Sequence, residues 1–376
     1  MKKQSGFTLV EFIVAMAISL IALAATMLAF KDATRTHQNV AQHEDMTDNL
    51  RAGLNLVSQD LIQTGTGIPT GGITIPTYAA TGACPGGTSS LNRPVPGGAA
   101  TFPICDTVLP AINPGNAMGP FITSPDATSS VNTDIITVLY ADNAASATSG
   151  VVGIDSQAIN GASCPGGSIT ASGNSTTFDS GCFNVSNLAA RGVQLNTGDL
   201  IMFSNTNGNA LQEITSISGQ TLTFSSGDAF KLNGTNAPNG TIVQIQNYTL
   251  DASGNKVFNL GTYPPTFATR VWMITYYLDN LTDPTHVRLI RRVNFNPGQP
   301  VGETLENLQF TFNYNDGITT NQPGVPNGYS ESQIRSVNVY LGTRSTNKLG
   351  VNNKYARENF QTQVSLRSMA YVNEYK

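Results

Sequence analysis

The chain has 376 residues, a formal net charge of −4 and only 12% charged side chains. That balance excludes a generally basic nucleic-acid-binding surface. Its 36 Gly and 19 Pro, with Ser, Thr and Asn abundant beyond the N-terminus, exclude a helical bundle and favour short strands joined by turns.

The first six residues, Met1 to Gly6, carry Lys2 and Lys3. An apolar run from Phe7 to Phe30 follows, with Glu11 as its one charged residue. As a helix, this run reaches roughly 36 Å, enough for a hydrocarbon core of about 30 Å. The two lysines place its N-terminus in the cytoplasm by the positive-inside rule. A plain anchor would account for the run, and so would a secretory signal cut at Ala22-Leu23-Ala24. Glu11 weighs against both, because a carboxylate inside a membrane helix costs about 3 kcal/mol and normally has a dedicated partner.

No proline falls between Phe7 and Ile68, so the helix is expected to continue to about Gln63. Met46, Leu50, Leu54, Val57 and Leu61 share one face of it. That stripe must bury against something, most simply a β-sheet. Gly65, Gly67 and Pro69 supply the stop. His37 and His43 lie on the polar part and are expected to be solvated.

From Thr64 to Asn132 the chain is Gly/Pro-rich and predicts ordered loops with a few short strands. Strands are predicted at Asp134–Tyr140, Gly198–Phe203, Ala210–Ser216, Gln220–Phe224 and Val243–Leu250. Ile217-Ser218-Gly219 is expected to turn the third of these into the fourth. Val271–Leu278 and His286–Val293 predict a hairpin. Period-two alternation predicts three further strands: Leu308 to Tyr314, Val337 to Leu341, and Phe360 to Leu366. Together they describe an antiparallel sheet with one covered face. The helix stripe is the natural cover, with Trp272, Tyr276, Phe310 and Phe312 as core residues.

Cys84, Cys105, Cys164 and Cys182 contain no CxxC pair and lie far from the three histidines, which argues against zinc. An even count fits two disulfides in an oxidising compartment, with free buried thiols as the plainer alternative. Of three possible pairings, Cys84–Cys105 and Cys164–Cys182 are favoured because each brackets a Gly/Pro-rich loop. Arg288, Arg291 and Arg292 form the densest basic cluster and leave room for a local basic groove. HExxH, GxSxG and P-loop motifs are absent. Gly86-Gly87 and Gly166-Gly167 lack the context of a phosphate loop. Asn205 to Gly208 and Asp251 to Gly254 faintly resemble calcium loops but read better as turns. Nothing singles out a cofactor, a metal site or a catalytic residue.

The segment Gly6-Phe7-Thr8-Leu9-Val10-Glu11 resembles the class III signal of type IV prepilins. The resemblance implies cleavage by prepilin peptidase after Gly6 and N-methylation of Phe7. It also implies a charge pair between Glu11 and the Phe7 ammonium of a neighbouring subunit, which is sensible where two ions in a low-dielectric medium must meet to offset their desolvation. Beyond the leader, the order of Ser58–Ile62, Asp134–Tyr140, Gly198–Phe203, Val271–Leu278 with Arg288–Arg292, Leu305–Tyr314, Arg335–Leu341 and Val364–Arg367 resembles PilW-type minor pilins. Pseudopilin J of type II secretion shares the plan.

The fold expected is α+β, with a long N-terminal helix packed on an antiparallel sheet that carries a large loop-rich insertion. Its parts are a leader (1–6), a transmembrane or filament-core helix (7–30), an amphipathic continuation (31–63), a loop region (64–132), a β-rich insertion (133–265) and a C-terminal sheet (266–376). The resemblance implies a non-enzymatic minor pilin in a complex that primes pilus assembly and sits at the tip. Implied partners are prepilin peptidase, other minor pilins, the major pilin, the inner-membrane assembly platform and a tip adhesin. The implied location is the inner membrane with a periplasmic head, then a pilus or pseudopilus. A reading of another class is a surface-anchored hydrolase or carbohydrate-binding module on a pilin-like anchor.

Overall fold

The computed structural model describes residues 8–76, 91–94, 102–104, 107–126, 130–142, 157–159, 167–178, 185, 194–234, 241–322, 328–349 and 354–369. Gly6, Phe7 and the four cysteines lie outside these residues, and so do the expectations placed on them.

One helix, α1, runs unbroken over Leu9–Gln63, 55 residues, about 83 Å at 1.5 Å per residue. Its two halves have different surroundings. Every residue through Gln38 is exposed, and cover begins at Asn39. Beyond that, Met46, Leu50, Leu54, Val57 and Leu61 are all buried, none more than 8% exposed, as the spacing of the stripe predicts. The helix ends at Thr64, whose N–H donates to Leu61 O. Gly65 and Gly67 then take left-handed φ values of 82° and 70°, which favour glycine. Gly65 N donates to Leu139 O at 2.9 Å, and Ala141 N to Thr66 O at 2.7 Å. The end of the helix is thereby tied to the first long strand.

The head is antiparallel throughout its described pairings, and the protein is α+β. Its organising element is the strand Thr266–Asp279. The first part pairs with Leu200–Asn205, and residues 271–276 pair with Ile135–Ala141. The last part pairs with Arg288–Val293, from Ile274↔Val293 to Asp279↔Arg288, which is the predicted hairpin. A second sheet joins Leu305–Tyr314, Ile334–Leu349 and Lys354–Ser365, with Thr319–Thr320 at its edge. Helix α1 lies over both sheets. At Gly53 an added Cβ would stand 3.1 Å from Leu289 Cδ2 of one sheet and 3.7 Å from Leu341 Cδ1 of the other. Only a glycine lets the backbone settle this low between them, a benefit set against its helix cost of about 1 kcal/mol.

The main core unites the helix stripe with both sheets, and Tyr276, Phe310 and Phe312 belong to it, with Trp272 packed at its margin. A second core lies on the other side of the 200–224 region, where Ile201, Phe203 and Ala210 meet Leu222 and Phe224 from a small four-stranded sheet.

Two local expectations are corrected. The strand Gly208–Glu213 pairs back onto Leu200–Asn205 across the Asn207-Gly208 turn. Ser216–Ser218 is itself a strand that pairs with Thr221–Thr223. Ile217 and Ser218 are thus strand residues, and the turn rests on Gly219, φ 58°. Residues 243–250 are not one strand: Ile242–Ile245 is a 3₁₀ turn and only Tyr248–Leu250 is extended. Ile242 and Ile245 are both buried, a spacing of three that the 3₁₀ geometry eclipses on one side and that β-branched composition alone misreads. Within the loop region 64–132, one of the short strands is Ile112–Gly115, which joins the main sheet beside Ile135–Ala141. Its Pro114 and Gly115 hide it in the sequence, and its place at the sheet's margin is where proline is tolerated.

Candidate assembly interface

The exposed half of α1 is the most unusual surface of the protein. Leu9, Phe12, Ile13, Ile18, Leu20 and Phe30 are all more than half exposed, far beyond the apolar patch a soluble monomer leaves in water. The helix contains a segment long and apolar enough to cross a membrane. Lipid or the helices of neighbouring chains can cover it.

Glu11 stands within that surface, three residues into the helix. Its carboxylate Oε2 accepts from Thr8 N and from the Thr8 hydroxyl, each at 2.9 Å, and Glu11 N donates to Thr8 Oγ1 at 3.3 Å. This is a capping box: a Thr and a Glu three apart satisfy each other's backbone N–H at the helix start. The resemblance to type IV prepilins implies a charge pair between Glu11 and Phe7 of a neighbour, and this second use of Glu11 was not anticipated. Both Thr8 donors go to Oε2. Among the described residues Oε1 has no donor, so a further cation can approach it.

The other end of α1 is locked to the head by a buried cluster that sequence reasoning missed. Asp60 is 3% exposed. Arg291 binds it bidentately, Nε to Oδ2 at 2.7 Å and Nη2 to Oδ1 at 3.1 Å. Tyr140 donates to Oδ1 at 2.9 Å and Tyr276 to Oδ2 at 2.5 Å. Four donors from three strands converge on one carboxylate, which satisfies a buried charge that would otherwise be prohibitive. Burial, reinforced by the Asp60 charge, pushes both tyrosine hydroxyls well above their usual range. Burial opposes the charge on Arg291, but Asp60 outweighs it and the guanidinium is held still more firmly protonated. The signal available in the sequence was Asp60 beside the apolar stripe together with the arginine cluster, but nothing in it matched one to the other.

The arginine cluster forms no shared groove. Arg291 goes to Asp60, Arg288 faces Glu303 at 3.4 Å, and Arg292 donates to Asn296 O and Phe295 O. His43 is not merely solvated: its Nδ1 lies 2.7 Å from Glu358 Oε1, and Thr47 donates to Glu358 Oε2 at 3.1 Å. This pair fastens the helix to the strand Lys354–Ser365. The two loops with a faint calcium likeness are built as turns. Asn205 Oδ1 accepts from Asn207 N at 2.9 Å. Asp251 Oδ1 accepts from Ser253 N and Asn255 N, each at 2.8 Å. Among the described residues no group of three or more His, Cys, Asp or Glu side chains converges as for a metal ion.

A cavity of about 210 Å³ opens beside the end of the helix, between Gly65–Gly72 and Ser330–Ser332. Ile68, Val108, Ala111 and Met369 give it an apolar wall, Thr70, Ser330 and Ser368 add hydroxyls, and Glu331 is the ionisable member among the described residues. It offers hydrogen bonds but no paired base and nucleophile.

Comparison with known proteins adds the following. A family model described as the prokaryotic N-terminal methylation motif matches residues 1–27, a stretch that includes Gly6, Phe7 and Glu11. No curated protein matches the chain. Among solved structures the chain is similar to the type IV-like pilin TTHA1219 from Thermus thermophilus, at 8% identity and a TM-score of 0.18, over 46% of this chain and 87% of that one. The chain thus carries a prepilin-type N-terminal methylation motif at the head of a helix apolar enough to cross a membrane.

Proposed function

We propose that this chain is a minor filament subunit of the type IV pilin class, of PilW-like kind, and that it acts by packing rather than by catalysis. Prepilin peptidase cuts after Gly6, and the new Phe7 amino group is methylated. The apolar half of α1 holds the subunit in the inner membrane, N-terminus in the cytoplasm and head in the periplasm. The subunit then joins other minor pilins in the complex that primes assembly, and it stays at the tip, where it presents a further adhesin. Glu11 takes the Phe7 ammonium of the next subunit on its Oε1 side while Thr8 keeps Oε2.

One observation carries the reading. A methylation motif over residues 1–27, an uncovered apolar half and a second half built into a folded head all lie on one unbroken helix. A simple anchor would not need the rigid continuity, and a secretory signal would not need the head to be built on the same helix.

The test is incorporation. Glu11→Ala should leave the head folded and sharply reduce the subunit's presence in sheared filaments. Intact mass of the mature chain should place its N-terminus at a methylated Phe7. A mature chain beginning after Ala24, or normal incorporation of the Glu11→Ala variant, would overturn the proposal. Co-purification with secretion pseudopilins instead of minor pilins would move it to the J-type pseudopilins.

A further inference from the structure

The hairpin of Ile334–Leu349 and Lys354–Ser365 runs antiparallel to α1, towards its apolar half. Leu341 sits beside Gly53, Glu358 beside His43 and Thr47, and Asn347 N donates to Gln42 Oε1 at 3.3 Å. The hairpin continues past that point to the pair Leu349↔Lys354. Two further residues at roughly 3.3 Å each bring this pair about level with His37 and Gln38 on the helix. Phe30, the last residue of the apolar run, lies only about 11 Å further along the axis at 1.5 Å per residue. If the apolar run occupies a bilayer, the lower edge of the head stands roughly one Debye length, about 8–10 Å, from the headgroups.

The charges on this edge suit that neighbour. Lys348 and Lys354 project from the hairpin, and Lys31 and Arg35 from the exposed helix below it. Among the described residues Asp32 and Asp126 are the acidic groups at the same level, and they leave the edge net positive on a chain whose formal charge is −4. Asp126 bridges Lys348 at 3.1 Å, an exposed pair of the kind that contributes little and exchanges partners readily. Tyr355 lies under Lys348, 5.5 Å from its ammonium to the ring centroid, and under Arg344 at 4.6 Å. A ring and a long cationic side chain together are the usual furniture of a lipid–water boundary. Glu44 and Asp45 stand about 21 Å beyond Phe30, outside the screening distance.

We propose that the edge formed by Lys348, Lys354 and Tyr355, with Lys31 and Arg35, binds the anionic phospholipid headgroups of the bilayer that holds α1. Before assembly, the head rests on the membrane instead of swinging freely above it. Each lysine near an anionic surface adds attraction equivalent to about a fivefold change in occupancy. Extraction into a filament must break this contact, so it holds unassembled subunits in one orientation. The proposal rests on the apolar run being membrane-inserted, as the functional reading above holds.

The test uses the full chain reconstituted in vesicles of phosphatidylcholine alone, or with phosphatidylglycerol added. Amine acetylation is read peptide by peptide, with Lys256 on the separate Tyr248–Phe258 hairpin as the internal reference. Lys348 and Lys354 should acetylate about fivefold more slowly in the anionic vesicles, and high salt should remove the difference. Equal reactivity in both lipids, in a chain that resists carbonate extraction, overturns this inference and leaves the anchoring intact. Protection that depends on protein density and not on lipid charge assigns the edge to a second copy, and also overturns it. A chain that carbonate strips from the vesicles overturns the anchored reading, and this inference with it.

Discussion

The Asp60 carboxylate of α1 and the Arg291 guanidinium of the strand Arg288–Val293 meet at 2.7 Å, in a site that Tyr140 and Tyr276 close from the sheet side. This pair sets the rotation of the helix about its own axis, because a turn of one residue would carry Asp60 away from all four donors. Asp60→Ala leaves Arg291 and two tyrosine hydroxyls unsatisfied. It should destabilise the head by about 3–5 kcal/mol, the usual cost of breaking a buried pair from one side. Asp60→Asn keeps the shape and part of the hydrogen bonding and should cost less. Thermal unfolding of the full-length protein in detergent measures both, and equal stability of wild type and Asp60→Ala would contradict the assignment.

Gly53 tests the closeness of the helix to the sheets. Gly53→Leu improves helix propensity and overfills the contact with Leu289 and Leu341. Overpacking costs about 1–3 kcal/mol, so the variant should unfold at a lower denaturant concentration in spite of its better propensity. A more stable variant would mean that the helix can move away from the sheets without loss.

Glu213 gives the head a pH dependence of its own. Burial, reinforced by the Asp228 carboxylate and only partly relieved by the Phe230 N–H, pushes its carboxyl up to about 7. A carboxyl whose folded pKa lies above its unfolded value binds its proton more tightly when folded. The stability it lends is therefore present below the unfolded value of about 4.3 and is lost as pH rises through about 7. Glu213→Gln should flatten this part of the stability–pH curve and raise the melting temperature above pH 7. An unchanged curve would show that Glu213 titrates normally.

The disulfide expectation has a direct check. Non-reducing peptide mapping should recover Cys84 linked to Cys105 and Cys164 linked to Cys182. Four thiols that alkylate without reductant would refute it.

What the sequence revealed and what it concealed follow from how far each feature reaches. The stripe from Met46 to Leu61 was legible because its spacing is local and all five residues serve one burial. The capping partner of Glu11 is three residues away and is legible as a Thr-x-x-Glu signature. The Asp60 cluster was opaque because its partners lie 80, 216 and 231 residues away, and a carboxylate in Ser58-Gln59-Asp60 looks like ordinary helix surface. Around 205–223 the strands Leu200–Asn205, Gly208–Glu213 and Thr221–Thr223 were legible, but Ile217 and Ser218 look like a turn in the sequence and the pairing was not foreseen. Short polar strands such as Ser216–Ser218 carry almost no register information of their own.

The way α1 enters the head also bears on force. The buried stripe runs lengthwise beside the strands Ile334–Leu349 and Lys354–Ser365, and the far end of the helix is pinned by Asp60 and by the Gly65–Leu139 hydrogen bond. A pull along the helix axis loads all of these contacts in parallel as shear. None can be peeled away one at a time from the near end. The joint between helix and head is therefore strongest against load directed along the helix axis.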